Sequence, residues 1–199
     1  MKLSEAPLTI HNSRTMNYLP TLFLDRDGVI NVRTPGDYIK TPAEWIPVPG
    51  LGEAMQQLSV SFGRIFVVTN QAGIGKALMT EADLAAVHLK MTEIIAHAGG
   101  RLDAIYYCPH RSDAGCDCRK PATGMALRAK VDFPDIDFTN SWIVGDSISD
   151  MELGLRLGMK TVLIHGKEEE LEQLAALPLD FRFDSLLDFV LDLPRIFLS

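Results

Sequence analysis

The chain has 199 residues, 47% of them hydrophobic and 23% charged, with a formal net charge of −7. That length supports one well-buried core, and the acidic balance excludes nucleic acid or an anionic membrane as the main partner. No apolar run reaches the roughly 20 residues that a bilayer span needs.

The first 18 residues carry neither a signal-peptide core nor a small-residue cleavage site, so they read as a polar, partly disordered lead-in, and the compartment expected is the cytoplasm. Residues 19–199 are expected to form one domain. The run "TLFLD" (21–25) is β-rich and stops on acids. In "PGLGEAMQQLSVSF" (49–62), Leu51, Ala54, Met55 and Leu58 recur at helical spacing. "RIFVVTN" (64–70) is a strand buried on both faces, closed by polar residues. Thr80 caps a helix that runs to a stop at Gly99–Gly100. "LDAIYYC" (102–108), "SWIVGD" (141–146) and "KTVLIHG" (160–166) are further strands. Helices are expected at 124–133 and 149–158, with a closing helix over 185–194.

Strands alternating with helices five times over imply a parallel sheet covered on both faces, a three-layer α/β/α sandwich of at least five strands. Such sheets place their sites beyond the carboxyl ends of the strands. Asp25 and Asp27 follow the first strand, Thr69 and Asn70 end the second, and Asp146 follows the fourth with Asp150 beyond it. Converging carboxylates need a balancing cation, and hard oxygen ligands suit Mg²⁺. Asp25 could then act as a nucleophile, with Thr69 and Lys120 contacting phosphoryl oxygens.

All three cysteines lie within residues 108–118, in the pattern C-x-H-x5-C-x-C formed by Cys108, His110, Cys116 and Cys118. Three thiolates and an imidazole make a closed tetrahedral Zn²⁺ set, hence a structural one that pins a loop. That loop runs directly into Arg119–Lys120–Pro121. His11, His88, His97 and His165 carry no paired signal, and no catalytic role is expected for them.

The sequence elements "DRDGV", "TN", the lysine of "CRKP" and "GDSISD", in that order, resemble the haloacid dehalogenase-like (HAD) superfamily. The resemblance covers roughly residues 21–165 and implies a Rossmann-like, capless fold. It also implies roles. Asp25 would be the nucleophile that forms an aspartyl-phosphate, and Asp27 the general acid and then base. Mg²⁺ would be held by Asp25, Asp146 and the Asp27 backbone carbonyl. Dehalogenating relatives lack the second aspartate, so phosphoryl transfer is favoured. Asp150 is either an outer carboxylate of this site or a residue complementing a helix N-terminus.

"TNQAGIG", "CPH…CDCRKP…GM" and "IVGDSISDM" resemble the branch that contains heptose 1,7-bisphosphate phosphatases and histidinol-phosphate phosphatases. By that resemblance Arg119 would contact the substrate phosphate, while Asn70, Gln71 and the 73–76 loop would line the pocket. Arg33 and Lys40 lie where relatives meet the distal end of the substrate, or are solvated charges. The leading expectation is a Mg²⁺-dependent sugar-phosphate phosphatase, heptose bisphosphate before histidinol phosphate, and nothing demands more than a monomer. A phospho-receiver switch would need an acceptor aspartate at the third strand's end, where Cys108 stands, and would leave Asp27 without a use. A zinc-stabilised module without activity would have no use for the acids.

Overall fold

A computed structural model describes residues 19–198. The expected lead-in, residues 1–18, lies outside these. Among the described residues no helix is long and apolar enough to cross a membrane.

The strands are β1 (Thr21–Leu24), β2 (Arg64–Asn70), β3 (Ala104–Cys108), β4 (Ser141–Gly145), β5 (Lys160–Ile164) and β6 (Phe181–Phe183). They form one sheet in the order β3-β2-β1-β4-β5-β6, every neighbouring pair parallel. The helices are α1 (Leu51–Ser61), α2 (Ala72–Gly75), α3 (Glu81–His97), α4 (Gly124–Asp132), α5 (Ile148–Leu157), α6 (Leu171–Ala176) and α7 (Leu186–Leu198).

Strand alternation sorts the core into two layers. Leu22, Leu24, Ile65, Val67, Trp142, Val144, Val162 and Ile164 face α1, α3 and α7. Phe23, Phe66, Val68 and Ile143 face α4 and α5, where Met125, Ala126, Ala129 and Leu153 complete the layer. Both faces of the central strands are therefore dry, which is why β1 and β2 read as unbroken apolar runs. Thr80 caps α3 reciprocally: its hydroxyl accepts from the Asp83 N–H at 3.1 Å, and the Asp83 carboxylate accepts from the Thr80 N–H at 2.8 Å.

Four elements depart from the expected set. The sheet gains β6, a three-residue strand; α2 is a short helix in a stretch read as loop, and α6 is a short helix where no element was expected. The closing helix does not stop at Pro194 but continues to Leu198. Its stripe of Leu186, Phe189, Val190, Leu193 and Ile196 is buried along the whole length, and that burial outweighs the N–H the proline lacks.

The order of strands sets the site. From β1 the chain crosses to β2 on one side, and β4 lies on the other, so the connections diverge between β1 and β4. A crevice opens where such connections part. Leu24 pairs with Val144 across that gap, and the Asp25 N–H donates to the Val144 carbonyl at 2.9 Å. Asp25 and Asp146 thus leave neighbouring strand ends together.

Candidate active site

A polar cleft of about 490 Å³ opens at these strand ends, lined among others by Asp25, Asp27, Thr69, Asn70, Arg119, Lys120 and Asp146. Four segments far apart in sequence meet there, as the motif order leads one to expect. An apolar cavity of about 420 Å³ shares Arg33 and Asp146 with it, but its mostly hydrophobic wall offers little to hold a phosphate.

Lys120 is the hub. Its side chain is 1% exposed, and its ammonium contacts Asp25 Oδ1 at 2.8 Å, Asp150 Oδ1 at 2.5 Å and the Val68 carbonyl at 2.7 Å. Burial works against that charge, but Asp150 and Asp25 outweigh it and hold the lysine protonated. Asp150 is fully buried and takes up the helix-terminal role. Its Oδ2 caps α5 by accepting from Ser147 N–H and Oγ, and its other oxygen anchors Lys120.

Carboxylate oxygens of Asp25, Asp146 and Asp150 lie within 4.8 Å of one another. Burial first, then the charge of Asp150, pushes the Asp25 carboxyl up to about 6 despite Lys120. Burial, Asp25 and Asp150 push Asp146 up to about 8. Asp146 Oδ1 is buried without a hydrogen-bond partner, and its nearest cations are Lys167 Nζ at 4.0 Å and Arg33 Nε at 3.7 Å from Oδ2. Asp25 and Asp146, the latter with an orphaned oxygen, present buried donors that suit a hard divalent cation, while Asp150 is occupied by Lys120 and Ser147. Gly28 leaves room for the arrangement: at φ +93° it is left-handed, and a Cβ there would stand 2.2 Å from Asp146 Oδ2.

These raised carboxyl groups fix the pH dependence of stability without metal. Unfolded, both acids ionise near 3.8; folded, they hold protons to about 6 and about 8. The folded state binds the extra protons, so this contribution is full below pH 4 and is lost as pH rises through 6 and 8. The metal-free protein is expected to melt lower at pH 8.5 than at pH 5.5. Magnesium should raise the melting temperature more at pH 8.5, where no proton competes for the oxygens. Calorimetry with and without MgCl₂ at both values checks this, and an equal magnesium effect at both would refute it.

The Asp27 carboxylate stands apart from this acidic cluster. Arg26 Nη2 donates to both of its oxygens at 2.9 Å, Arg26 Nε to Oδ1 at 3.2 Å, Asn31 Nδ2 to Oδ1 and Gln71 Nε2 to Oδ2, each at 3.0 Å. Burial would raise this carboxyl, but Arg26 and these donors together hold it below the usual range. Gln71, expected as a pocket wall, is 1% exposed and outside the cleft lining; its amide instead bridges Asp27 and the Thr69 hydroxyl, the latter at 2.8 Å. Asn70 does line the cleft, yet its amide is occupied in a two-way bond to the Lys120 backbone, accepting at 3.0 Å and donating at 3.2 Å. Of the 73–76 loop only Lys76 reaches the cleft. Arg119 lines it with a buried Nη1 that has no partner.

Arg33 is on the cleft wall between Asp146 and Glu169. Lys40 is not: it pairs with Asp37 at 2.5 Å, exposed. Arg26 and Asn31 around Asp27, and Lys167 at the far wall, were not expected from the sequence, and Gln71 was expected in a different role. Only the position of Lys167, just past the fifth strand, offered a signal.

The Cys/His loop follows β3 as expected. Cys118 Sγ lies 3.1 Å from Cys108 Sγ and 3.2 Å from His110 Nδ1; Cys108 Sγ lies 3.6 Å from Cys116 Sγ and 3.7 Å from His110 Nδ1. A tetrahedron of thiolates around zinc at about 2.3 Å has edges of about 3.8 Å, so these four atoms can close on one ion. No disulfide forms among the thiols. Two backbone bonds tie the loop to its surroundings, Gly75 N–H to Pro109 and Gly124 N–H to Asp117, both at 2.9 Å. Gly124 permits the second contact, since a Cβ would stand 2.5 Å from the Asp117 carbonyl oxygen.

The HAD-hydrolase-like family model matches residues 117–189. The D-glycero-beta-D-manno-heptose-1,7-bisphosphate 7-phosphatase of Pseudomonas putida is 46% identical over 149 residues, 74% of this chain and 84% of that protein. The D-glycero-alpha-D-manno-heptose-1,7-bisphosphate 7-phosphatase of Mycobacterium tuberculosis is 40% identical over 132 residues, 66% of this chain and 70% of that one. Among solved structures, the D,D-heptose 1,7-bisphosphate phosphatase of B. bronchiseptica, complexed with magnesium and phosphate, superposes with a TM-score of 0.81 at 34% identity, covering 89% of this chain and 99% of that one. This chain belongs to the haloacid dehalogenase-like phosphatases, in the branch of the heptose-1,7-bisphosphate phosphatases.

Proposed function

We propose that the chain is a magnesium-dependent phosphatase that removes the 7-phosphate of a D-glycero-D-manno-heptose 1,7-bisphosphate through an aspartyl-phosphate on Asp25. One observation carries the reading: a buried lysine faces Asp25 from one side while Asp146 faces it from another, at the mouth of a polar cleft.

Asp25 Oδ attacks phosphorus in line with the departing sugar oxygen, and the bond to that oxygen breaks as the new P–O bond forms. Asp27, which its donors hold ionised in the free protein, would take a proton from the bound phosphate monoanion and give it to the leaving oxygen, then take a proton from the water that attacks the acyl phosphate. Its donors leave Oδ2 with fewer partners than Oδ1, which is where the proton would move. Thr69, Arg119 and Lys120 line the cleft and would receive the phosphoryl oxygens, Lys120 by exchanging one of its three present partners. Magnesium, held by Asp25, Asp146 and the Asp27 carbonyl, would neutralise charge on phosphate and carboxylates alike. Zinc on Cys108, His110, Cys116 and Cys118 would hold the loop that delivers Arg119 and Lys120.

The relatives include enzymes named for either anomer, so the test includes both. Purified protein should release phosphate from heptose bisphosphate only with MgCl₂, at least about tenfold more efficiently than from histidinol phosphate. Equal or better turnover of histidinol phosphate would overturn the substrate, and magnesium-independent turnover would overturn the mechanism. A phospho-receiver would take up phosphate without continuous release.

A further inference from the structure

Arg26 is the one fully buried guanidinium of the site, at 0% exposure, and sits between two partners. One edge, Nε and Nη2, grips the Asp27 carboxylate. The other edge, Nη1, lies 3.3 Å from His88 Nε2, a residue 62 positions away on the middle of α3. Burial first, then the adjacent Arg26 charge, holds the His88 ring down to about 4, so it is uncharged and can accept. The ring is fixed in turn: Tyr107 packs edge-on at 6.0 Å, and the buried face of α3 seats it against the core.

We infer that His88 is a positioning residue: by accepting from Arg26 Nη1 it locks the guanidinium whose other edge orients the Asp27 carboxylate towards the leaving oxygen. The inference rests on the proposed role of Asp27 as the proton donor. A buried guanidinium with one edge unpartnered is costly and free to tilt. Asn31 and Gln71 give Asp27 one bond each, whereas Arg26 sets the plane of the carboxylate with three. A histidine serving only as core filler would be replaceable by any ring of its size. A positioning histidine is replaceable only by a side chain that still accepts at the Nε2 position.

The experiment compares His88→Phe with His88→Gln on two esters, heptose bisphosphate and para-nitrophenyl phosphate. An alkoxide needs a proton to leave and nitrophenolate does not, so kcat/KM for the sugar ester, which reports steps up to phosphoenzyme formation, depends on a well-aimed Asp27. The quantity read is the ratio of the two kcat/KM values in one sample, which does not depend on how much protein is folded. His88→Phe is expected to lower the ratio about tenfold, a part of what a general acid supplies. His88→Gln should keep it within about twofold. A ratio unchanged in His88→Phe, or one that falls as far in His88→Gln, would overturn the role. A wild-type protein inert towards both esters would overturn the phosphatase reading and the inference with it. One that turns over the aryl ester alone would point to a different natural leaving group, and so against Asp27 as donor.

Discussion

Asp25→Asn should abolish phosphate release, by about 10³-fold or more in kcat, while the protein remains folded. The amide keeps the shape and the space of the side chain but cannot form an acyl phosphate, so the two-step route is closed. Folding should survive for an electrostatic reason. Asp25 is held up to about 6 by burial and by Asp150, which means its ionised form is disfavoured where it stands. Replacing it removes one member of a repelling trio, and Lys120 keeps Asp150 as its partner at 2.5 Å. The melting temperature without magnesium is therefore expected to be unchanged or higher at pH 8, while the magnesium-dependent increment shrinks. Full turnover by this variant would end the nucleophile assignment.

Cys116→Ser should cost about one equivalent of zinc per chain and about 10 °C in melting temperature. Structural zinc in small peptides contributes on the order of 10 kcal/mol of folding free energy. Here the sheet and two core layers form around it, so a loss of about 3–5 kcal/mol is the expected share, and a chain of this size converts each kilocalorie to about 2–4 °C. Activity should fall as well, by about tenfold, because residues 109–118 lead into Arg119 and Lys120. Elemental analysis and calorimetry on wild type and variant decide it. A wild-type protein without zinc, or a variant as stable as wild type, would refute the assignment.

Much of this was legible in the chain because burial and chemistry leave different marks. Apolar runs closed by acids, as at Leu24–Asp25 and Gly145–Asp146, show both a strand and its end. The thiol cluster was legible because cysteine is rare enough for its spacing to speak. The donors of Asp27 were not. Arg26 reads as a surface cation between two acids, and only the fold reveals that it points into the interior towards His88. Asn70 and Gln71 show the same limit: an amide at a strand end can meet a ligand or a neighbouring side chain, and both amides here are engaged within the protein. The strand Phe181–Phe183 was missed because three residues at a sheet edge are too few for a period to show.

Among the described residues no inserted domain covers the cleft between β1 and β4. A phosphoryl group carried on Asp25 would therefore meet bulk solvent as soon as the alcohol departs. An acceptor hydroxyl from a second metabolite would have to compete with solvent at every turnover, with nothing to exclude it. Such a roofless site suits irreversible removal of a phosphate, and is poorly built for handing the group on.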